Sequence, residues 1–308
     1  MVKIWYNVLM QLSQTRQGEL AIIANEFFWS LFPVITILSY SALPSLVSLT
    51  VSFFFSCCLF AAVILYRREW REVFYAAVWP DMIWVIAMVG VGYYIFYFWG
   101  LKYTSAGNAA IVALMETVFS YLFFNVWRKE EFKGRHIVGT LLMMAGAAIV
   151  LIPKGQSLNK GDLLILIGTM MAPIGNFFQQ RVRKEVSSET ILFLRSLFTI
   201  PIVGALALAF SGPIIPHEVK RALPLLLING VVLLGFTKIL WVEGIHRISV
   251  TKATAFGCVT PVLTLIFAYF FLHQKPVVWQ WLALIPMALG LVMLTKSGRS
   301  SLKLGREV

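Results

Sequence analysis

Apolar runs of about twenty residues, divided by short polar intervals, fill most of this 308-residue chain. Ten can be marked, at residues 18–40, 43–66, 81–102, 105–127, 135–153, 160–181, 188–211, 221–243, 248–271 and 277–296. Within each run the apolar side chains are nearly continuous and do not alternate with polar ones. That is the pattern of a membrane helix and not of a barrel strand. Each run is long enough to cross about 30 Å of hydrocarbon as a helix. The intervals leave no room for a separate soluble domain. The pattern predicts an all-α membrane protein of ten transmembrane helices. Ahead of them, residues 1–17 place Ile4, Trp5, Val8, Leu9 and Leu12 on one helical face, which suits a short helix lying on the inner leaflet. A frayed tail fits the same segment equally well. No continuous apolar core or small-residue cleavage site marks a signal peptide there. Residues 297–308 form a basic tail.

Composition agrees. Hydrophobic residues make up 59% of the chain and charged residues 13%, against about 25% charged in soluble domains. Mean hydropathy is +0.81. The formal charge of +12 suggests nucleic acid until its distribution is seen. Of the 26 basic residues, 17 fall at the termini and in the intervals after runs 2, 4, 6 and 8, and 6 in the intervals after the odd-numbered runs; Arg195, Lys238 and Lys252 fall inside runs. By the positive-inside rule both termini are cytoplasmic, and the charge is a topology signal in a cell-membrane protein. Cys57, Cys58 and Cys258 lie inside runs and read as small apolar residues. The four histidines sit near run ends, away from any carboxylate cluster. The chain therefore calls for no metal and no cofactor.

Five runs per half place the second half upside down relative to the first. A gapless shift of residues 100–152 by 144 positions pairs Gly100 with Gly244, Ser105 with Ser249, Ala109 with Ala253 and Val118 with Val262. It also pairs Phe123 with Phe267, Met143 with Met287 and Gly146 with Gly290. Gly18-Glu19-Leu20 and Gly161-Asp162-Leu163 open runs 1 and 6 alike. Two repeats are expected, at 18–153 and 160–296. Inverted repeats of this kind belong to transporters, whose site lies near the bilayer midplane between the halves.

The stretch Tyr97-Phe98-Trp99-Gly100-Leu101-Lys102-Tyr103-Thr104-Ser105-Ala106 resembles the junction of spans 3 and 4 in EamA-type drug/metabolite transporters. In that family an acid-proline pair, a Gly-Glu turn and a Gly-rich fifth span follow. Glu116-Thr117, Glu130, and Gly139 with Gly146 stand at those places here. The second half has Thr260-Pro261, Gln274 and Gly290. Arg195 stands where the family often has an arginine in span 7. The chain departs from the family at Thr117, Gln274 and Thr50, the last at a span 2 position of an arginine. The resemblance covers nearly the whole chain. It implies alternating-access transport of small metabolites through a cavity between two five-helix halves.

Chemistry concentrates on a few residues. Glu116 lies near the middle of a run, where a carboxylate costs about 2.5–3.5 kcal/mol to insert unless it is partnered or meets water. It is either a protonated, hydrogen-bonded packing residue or a ligand for a substrate or coupling proton. Under the repeat its partner is Thr260, and Thr260 with Pro261 is expected to line the opposite wall. That gives a site with one carboxylate, suited to cationic or zwitterionic cargo. Glu26 and Lys238 lie at comparable depth and are expected to form a charge pair, structural or coupling. Lys252 and Arg195 lie close enough to a cytoplasmic end for their stems to reach the interface. Tyr93 and Tyr97 share a helical face, and with Trp29 they can stack on a substrate or its cationic group. In run 6, Ala172-Pro173-Ile174-Gly175-Asn176 reads as an interruption that exposes carbonyls beside a polar amide, or as a simple kink.

The expected function is a carrier of small polar metabolites, amino-acid-like or cationic, working by export or exchange. Its partners are that substrate and the lipid bilayer, with a coupling proton as a candidate third. An intramembrane enzyme is the rival class, against which stand the missing HExxH and GxSxG patterns. A non-transporting membrane partner, with Glu26 and Lys238 purely structural, is the third. Flux through reconstituted protein separates the three.

Overall fold

The computed structural model describes residues 13–127, 134–151, 159–211 and 216–295. The interfacial helix expected at residues 4–12, the turn glutamate Glu130 and the tail at 297–308 lie outside the described residues. Eight described helices are long and apolar enough to cross a membrane. They are α1 (Gln14–Ser39), α2 (Ser45–Arg67), α3 (Ala76–Leu101) and α4 (Ala106–Phe124) of the first half. α5 (Gly134–Leu151) follows and holds a shorter apolar helix. The second half supplies α6 (Lys160–Val182), α7 (Ser188–Phe210), α8 (Val219–Arg247) and α9 (Val250–Leu272). α10 (Val278–Thr295) holds the other shorter apolar helix.

Several of these helices begin at a residue chosen for the task. The first backbone N–H groups of a helix lack an internal acceptor. Ser13, Ser105, Ser187 and Ser249 each accept one of them through their hydroxyl, and Asn159 does so through its amide oxygen. Ser105 and Ser249 are the pair related by the shift of 144.

The packing follows a two-fold pattern. α1 packs on α8 and α3 on α6; α2 packs on α7, α4 on α9 and α5 on α10. Exchanging the halves, α1 for α6 and so on, maps this set of contacts onto itself. Small residues let the helices approach, as expected where lipid offers no hydrophobic drive to pack. A Cβ added at Gly146 of α5 would lie 2.3 Å from Met287 Cγ of α10, and one at Gly290 would lie 2.4 Å from the Gly139 carbonyl oxygen.

Regular helix fails at particular places, and four of them form related pairs across the two halves. α4 breaks at Leu114, whose N–H reaches back only three residues to Ile111 O at 3.1 Å. α9 breaks at Gly257-Cys258, where Cys258 N–H reaches Ala255 O at 3.5 Å. Leu114 and Cys258 are 144 positions apart. α3 and α8 carry wider π-helical stretches, Ile86–Gly92 and Ile228–Phe236, ending just before Tyr93 and Thr237. Such stretches re-aim the side chains that follow and recur at functional sites. By contrast, α6 runs without a break through Pro173. Of the two readings of that stretch, an interruption is absent, and Gly175 serves packing. A Cβ at that position would meet Val89 Cγ1 at 2.5 Å, so the glycine admits α3 against α6.

The two ends of the bundle are closed by polar contacts. At one end Glu243 of α8 pairs with Arg183 and Arg247, Arg67 pairs with Glu189 at 2.7 Å, and Arg181 with Asp81 at 3.0 Å. Glu72, on the short helix Trp70–Val73, accepts from Ser187 N at 2.8 Å, Ser187 Oγ at 2.6 Å and Thr190 Oγ1 at 2.8 Å. Partial burial pushes its carboxyl up, but those donors and the nearby Arg183 hold it below the ordinary carboxylate value. At the other end Asp162 accepts from Thr104 and Asn108, and Gln280 Nε2 donates to Asn108 Oδ1 at 2.7 Å.

Candidate functional site

The helix breaks and π-helical stretches converge on one cavity. Glu116 follows the break in α4. Its Oε1 accepts from Asn176 Nδ2 of α6 at 3.0 Å, and Asn176 Oδ1 accepts from Trp241 Nε1 of α8 at 3.1 Å. This run of hydrogen bonds ties three helices together and fixes the direction of the carboxylate. Across from it, Glu26 of α1 accepts from Thr260 Oγ1 of α9 at 2.5 Å and from Asn25 Nδ2 at 3.0 Å. Thr260 follows the break in α9 as Glu116 follows the break in α4. Lys238, two residues past the π stretch of α8, holds its Nζ 3.2 Å from the centre of the Trp29 ring. Arg195 of α7 sits with its guanidinium carbon 5.7 Å from the Tyr94 ring centre and 6.0 Å from that of Phe53.

Between them lies about 740 Å³ of empty space, counting the part open to solvent. Glu116, Tyr93, Trp29, Asn176, Thr260, Glu26 and Lys238 all line it, as do Arg195 and Gln179. Two residues marked in the sequence do not. Tyr97 lies behind Tyr93, stacked on it at 5.5 Å and 22°, and packs against Phe32. Pro261 is buried in α9 beside Thr260 and does not reach the cavity.

Three further expectations are corrected. Glu26 and Lys238 make no direct ion pair; among the described residues no carboxylate stands at ion-pair distance from Lys238. Trp29, one turn after Glu26 on α1, takes the ammonium on its face instead, while Thr260 and Asn25 satisfy the carboxylate. The wall opposite Glu116 is therefore not free of carboxylate, since Thr260 brings Glu26 with it. Arg195, finally, does not reach the interface. It is 2% exposed and turns inward, because α2 and α3 cover the face of α7 that bears it.

The cavity thus holds two acids and two bases, and Lys238 lies within electrostatic reach of the other three. Lys252, by contrast, pairs at the periphery with Glu19, both partly exposed. Among the described residues no group of three His, Cys, Asp or Glu side chains is placed to hold a metal ion. Among the lining residues not marked as such in the sequence are Gln179, Trp241 and Arg195, the last having been placed at the interface. Two had a signal: Gln179 lies three residues after Asn176 and Trp241 three after Lys238, so each shares a helical face with a residue already marked.

The sequence profile of the EamA-like transporter family matches residues 16–152 and again residues 159–296. The chain belongs to that family. Among its relatives, an uncharacterized transporter of Archaeoglobus fulgidus is 28% identical over 62% of this chain and 68% of its own length. Protein RarD of Salmonella typhi is 21% identical, over 87% of this chain and 90% of its own. A protein of Streptantibioticus cattleyicolor named as a probable terminal-alkyne amino-acid exporter is 22% identical over 68% of this chain and 69% of its own. A solved crystal structure with 20% identity superposes with a TM-score of 0.69, over 91% of this chain and 96% of that one, and shares the fold. The protein is a multi-pass membrane transporter of this family, with a small molecule as substrate and the bilayer as its surroundings.

Proposed function

We propose that this EamA-like transporter is a ten-span carrier of the cell membrane with both termini cytoplasmic. It moves small polar metabolites that carry an ammonium group, amino-acid-like or cationic, by alternating access between repeats at 18–153 and 160–296. Export or exchange is its direction of work, and its chemistry is binding rather than catalysis. The observation that carries this reading is the cavity between the halves, into which Glu116 faces just after the break in α4, while Thr260, just after the related break in α9, donates to Glu26 of α1. α5 and α10 complete the ten spans by packing on each other, outside the cavity.

Glu116 is the ammonium ligand in this reading. Asn176 occupies one of its oxygens, which leaves lone pairs on the other for the cargo. Trp29 and Tyr93 form apolar walls beside it. A proton is the natural alternative occupant of a buried carboxylate when cargo is absent, which makes Glu116 the candidate for proton coupling. The amino-acid-exporter name of one relative supports the cargo class at its 22% identity.

The test is flux in proteoliposomes, using a panel of amino acids and organic amines. The wild type should catalyse saturable flux of some of them. Glu116→Gln keeps the shape and the acceptor for Asn176 but removes the charge. It should weaken recognition of ammonium cargo about 5- to 30-fold, the difference between a charged and a neutral hydrogen bond. Folding should be retained. A wild-type protein with no flux across the panel refutes the carrier reading. Unchanged affinity in Glu116→Gln refutes the role of Glu116 alone.

A further inference from the structure

Arg195 poses a question that transport of a cation leaves unanswered. A guanidinium offers five N–H donors and remains charged throughout the accessible pH range. Here it is 2% exposed within an apolar bundle. Burial of such a charge is tolerated only when its hydrogen bonds are made. Yet Arg195 Nε and Nη2 are both buried and have no acceptor among the described residues. Those two atoms form one edge of the guanidinium, the edge whose parallel N–H bonds match the two oxygens of a carboxylate. Tyr94 and Phe53 lie 5.7 Å and 6.0 Å from its guanidinium carbon and supply no acceptor to this edge.

A second unsatisfied side chain lines the same cavity from α6, which, like α7, packs on the π-helical stretch of α3. Gln179 of α6 is 1% exposed, lines the cavity, and has neither its amide nitrogen nor its carbonyl oxygen bonded. One turn along α7 from Arg195, the buried Thr199 hydroxyl is also unbonded. Each such group costs about 1–3 kcal/mol when left unpaired, so three together mark a place prepared for a partner that the chain itself does not supply. Neither of the cavity's carboxylates reaches it: Glu26 bonds Thr260 and Asn25, Glu116 bonds Asn176, and among the described residues Arg195 makes no ion pair.

We infer that Arg195 and Gln179 form a subsite for a carboxylate of the cargo, complementing an ammonium site at Glu116, so that the preferred cargo is zwitterionic. This rests on the carrier reading above. Arg195 supplies the paired N–H edge and Gln179 its amide N–H. The edge is shielded from water in the present conformation, so cargo meets it when the cavity wall parts. That is the motion alternating access requires. A carboxylate arriving there replaces no existing bond, and its binding is favoured by every donor it satisfies.

The experiment uses three matched sets of probes: the common L-amino acids, their carboxamides, and the amines formed by removing the carboxyl. Binding is read as thermal stabilisation of the full-length purified protein, and transport as uptake into proteoliposomes. Wild type should prefer some amino acids over the matched amide and amine by roughly 10- to 100-fold, as expected for charged hydrogen bonds. Arg195→Gln and, separately, Gln179→Leu should reduce that preference to a few-fold, with amino-acid affinity falling far more than amine affinity. Arg195→Lys, which keeps charge but loses the paired edge, should fall between. If Arg195→Gln does not fold, Gln179→Leu and Arg195→Lys carry the test. Wild type that takes amines as readily as amino acids overturns the subsite but leaves the carrier reading standing. Variants that slow every probe alike, with the acid-to-amide ratio unchanged, also overturn it and make Arg195 a structural or gating residue. No flux of any probe in wild type overturns the carrier reading, and the subsite with it.

Discussion

Thr260→Val tests how the site is held together. The Thr260 hydroxyl donates to Glu26 at 2.5 Å, and both residues are buried, at 9% and 6% exposure. Valine has nearly the same volume, so the change removes one hydrogen bond and little packing. A bond to a buried carboxylate is worth about 1.5–3 kcal/mol, and Glu26 keeps only its neighbour Asn25 as a donor. At about 2 °C per kcal/mol for a chain of this size, the melting temperature should fall about 3–6 °C. A double-mutant cycle sharpens the test. Glu26→Leu with Thr260→Val should show a coupling of about 1–3 kcal/mol, because each single change strands the other partner. The matching cycle of Glu26→Leu with Lys238→Met should couple more weakly than this, since the two charges attract across the cavity without a direct ion pair, the ammonium lying 3.2 Å from the Trp29 ring centre. Melting of the variants in one detergent, with each singly and doubly substituted protein, measures both numbers. Stronger coupling of Glu26 to Lys238 than to Thr260 would refute the arrangement described here.

Two more outcomes bear on the ends of the bundle. The Glu72 carboxyl is held below its ordinary value of 4.5, so its contribution to stability is present above that pH and is lost as pH falls through the depressed folded value. The melting-temperature gap between wild type and Glu72→Gln should thus stay level from pH 8 to about pH 5 and close below pH 4.5, and a gap that widens in acid would contradict the assigned partners. For orientation, single cysteines at Arg68 and at Lys275, both exposed, should label from opposite sides of the membrane, with Arg68→Cys reached only from the cytoplasm. Labelling of both from one side would overturn the topology read from the basic residues.

Much of this protein was legible along the chain. A lipid solvent requires long apolar helices, so the spans are written as runs, and their basic flanks give a direction. That Glu116 and Thr260 stand at related positions followed from the 144-residue shift, but the helix breaks just before them did not. Glu116, Glu26, Lys238, Asn176, Thr260, Tyr93 and Trp29 could be picked out because polar or aromatic groups in the middle of apolar runs need a reason to be there. What they touch could not. Whether Lys238 meets Glu26 or the Trp29 ring depends on how α1, α8 and α9 are rotated against each other. Rotations of that kind are set by close contacts between small residues on different helices, and hydropathy does not record them. Pro173 shows the same limit. Its local sequence reads as a break, yet packing on α3 through Gly175 keeps the helix whole. Arg195 shows it most sharply. Its depth in the run is compatible with a stem reaching the interface, and only the helices covering α7 turn it inward. Depth is a property of one helix and follows from the sequence; the direction of a side chain belongs to the bundle, because it is the neighbouring helices that leave or deny it a path to water.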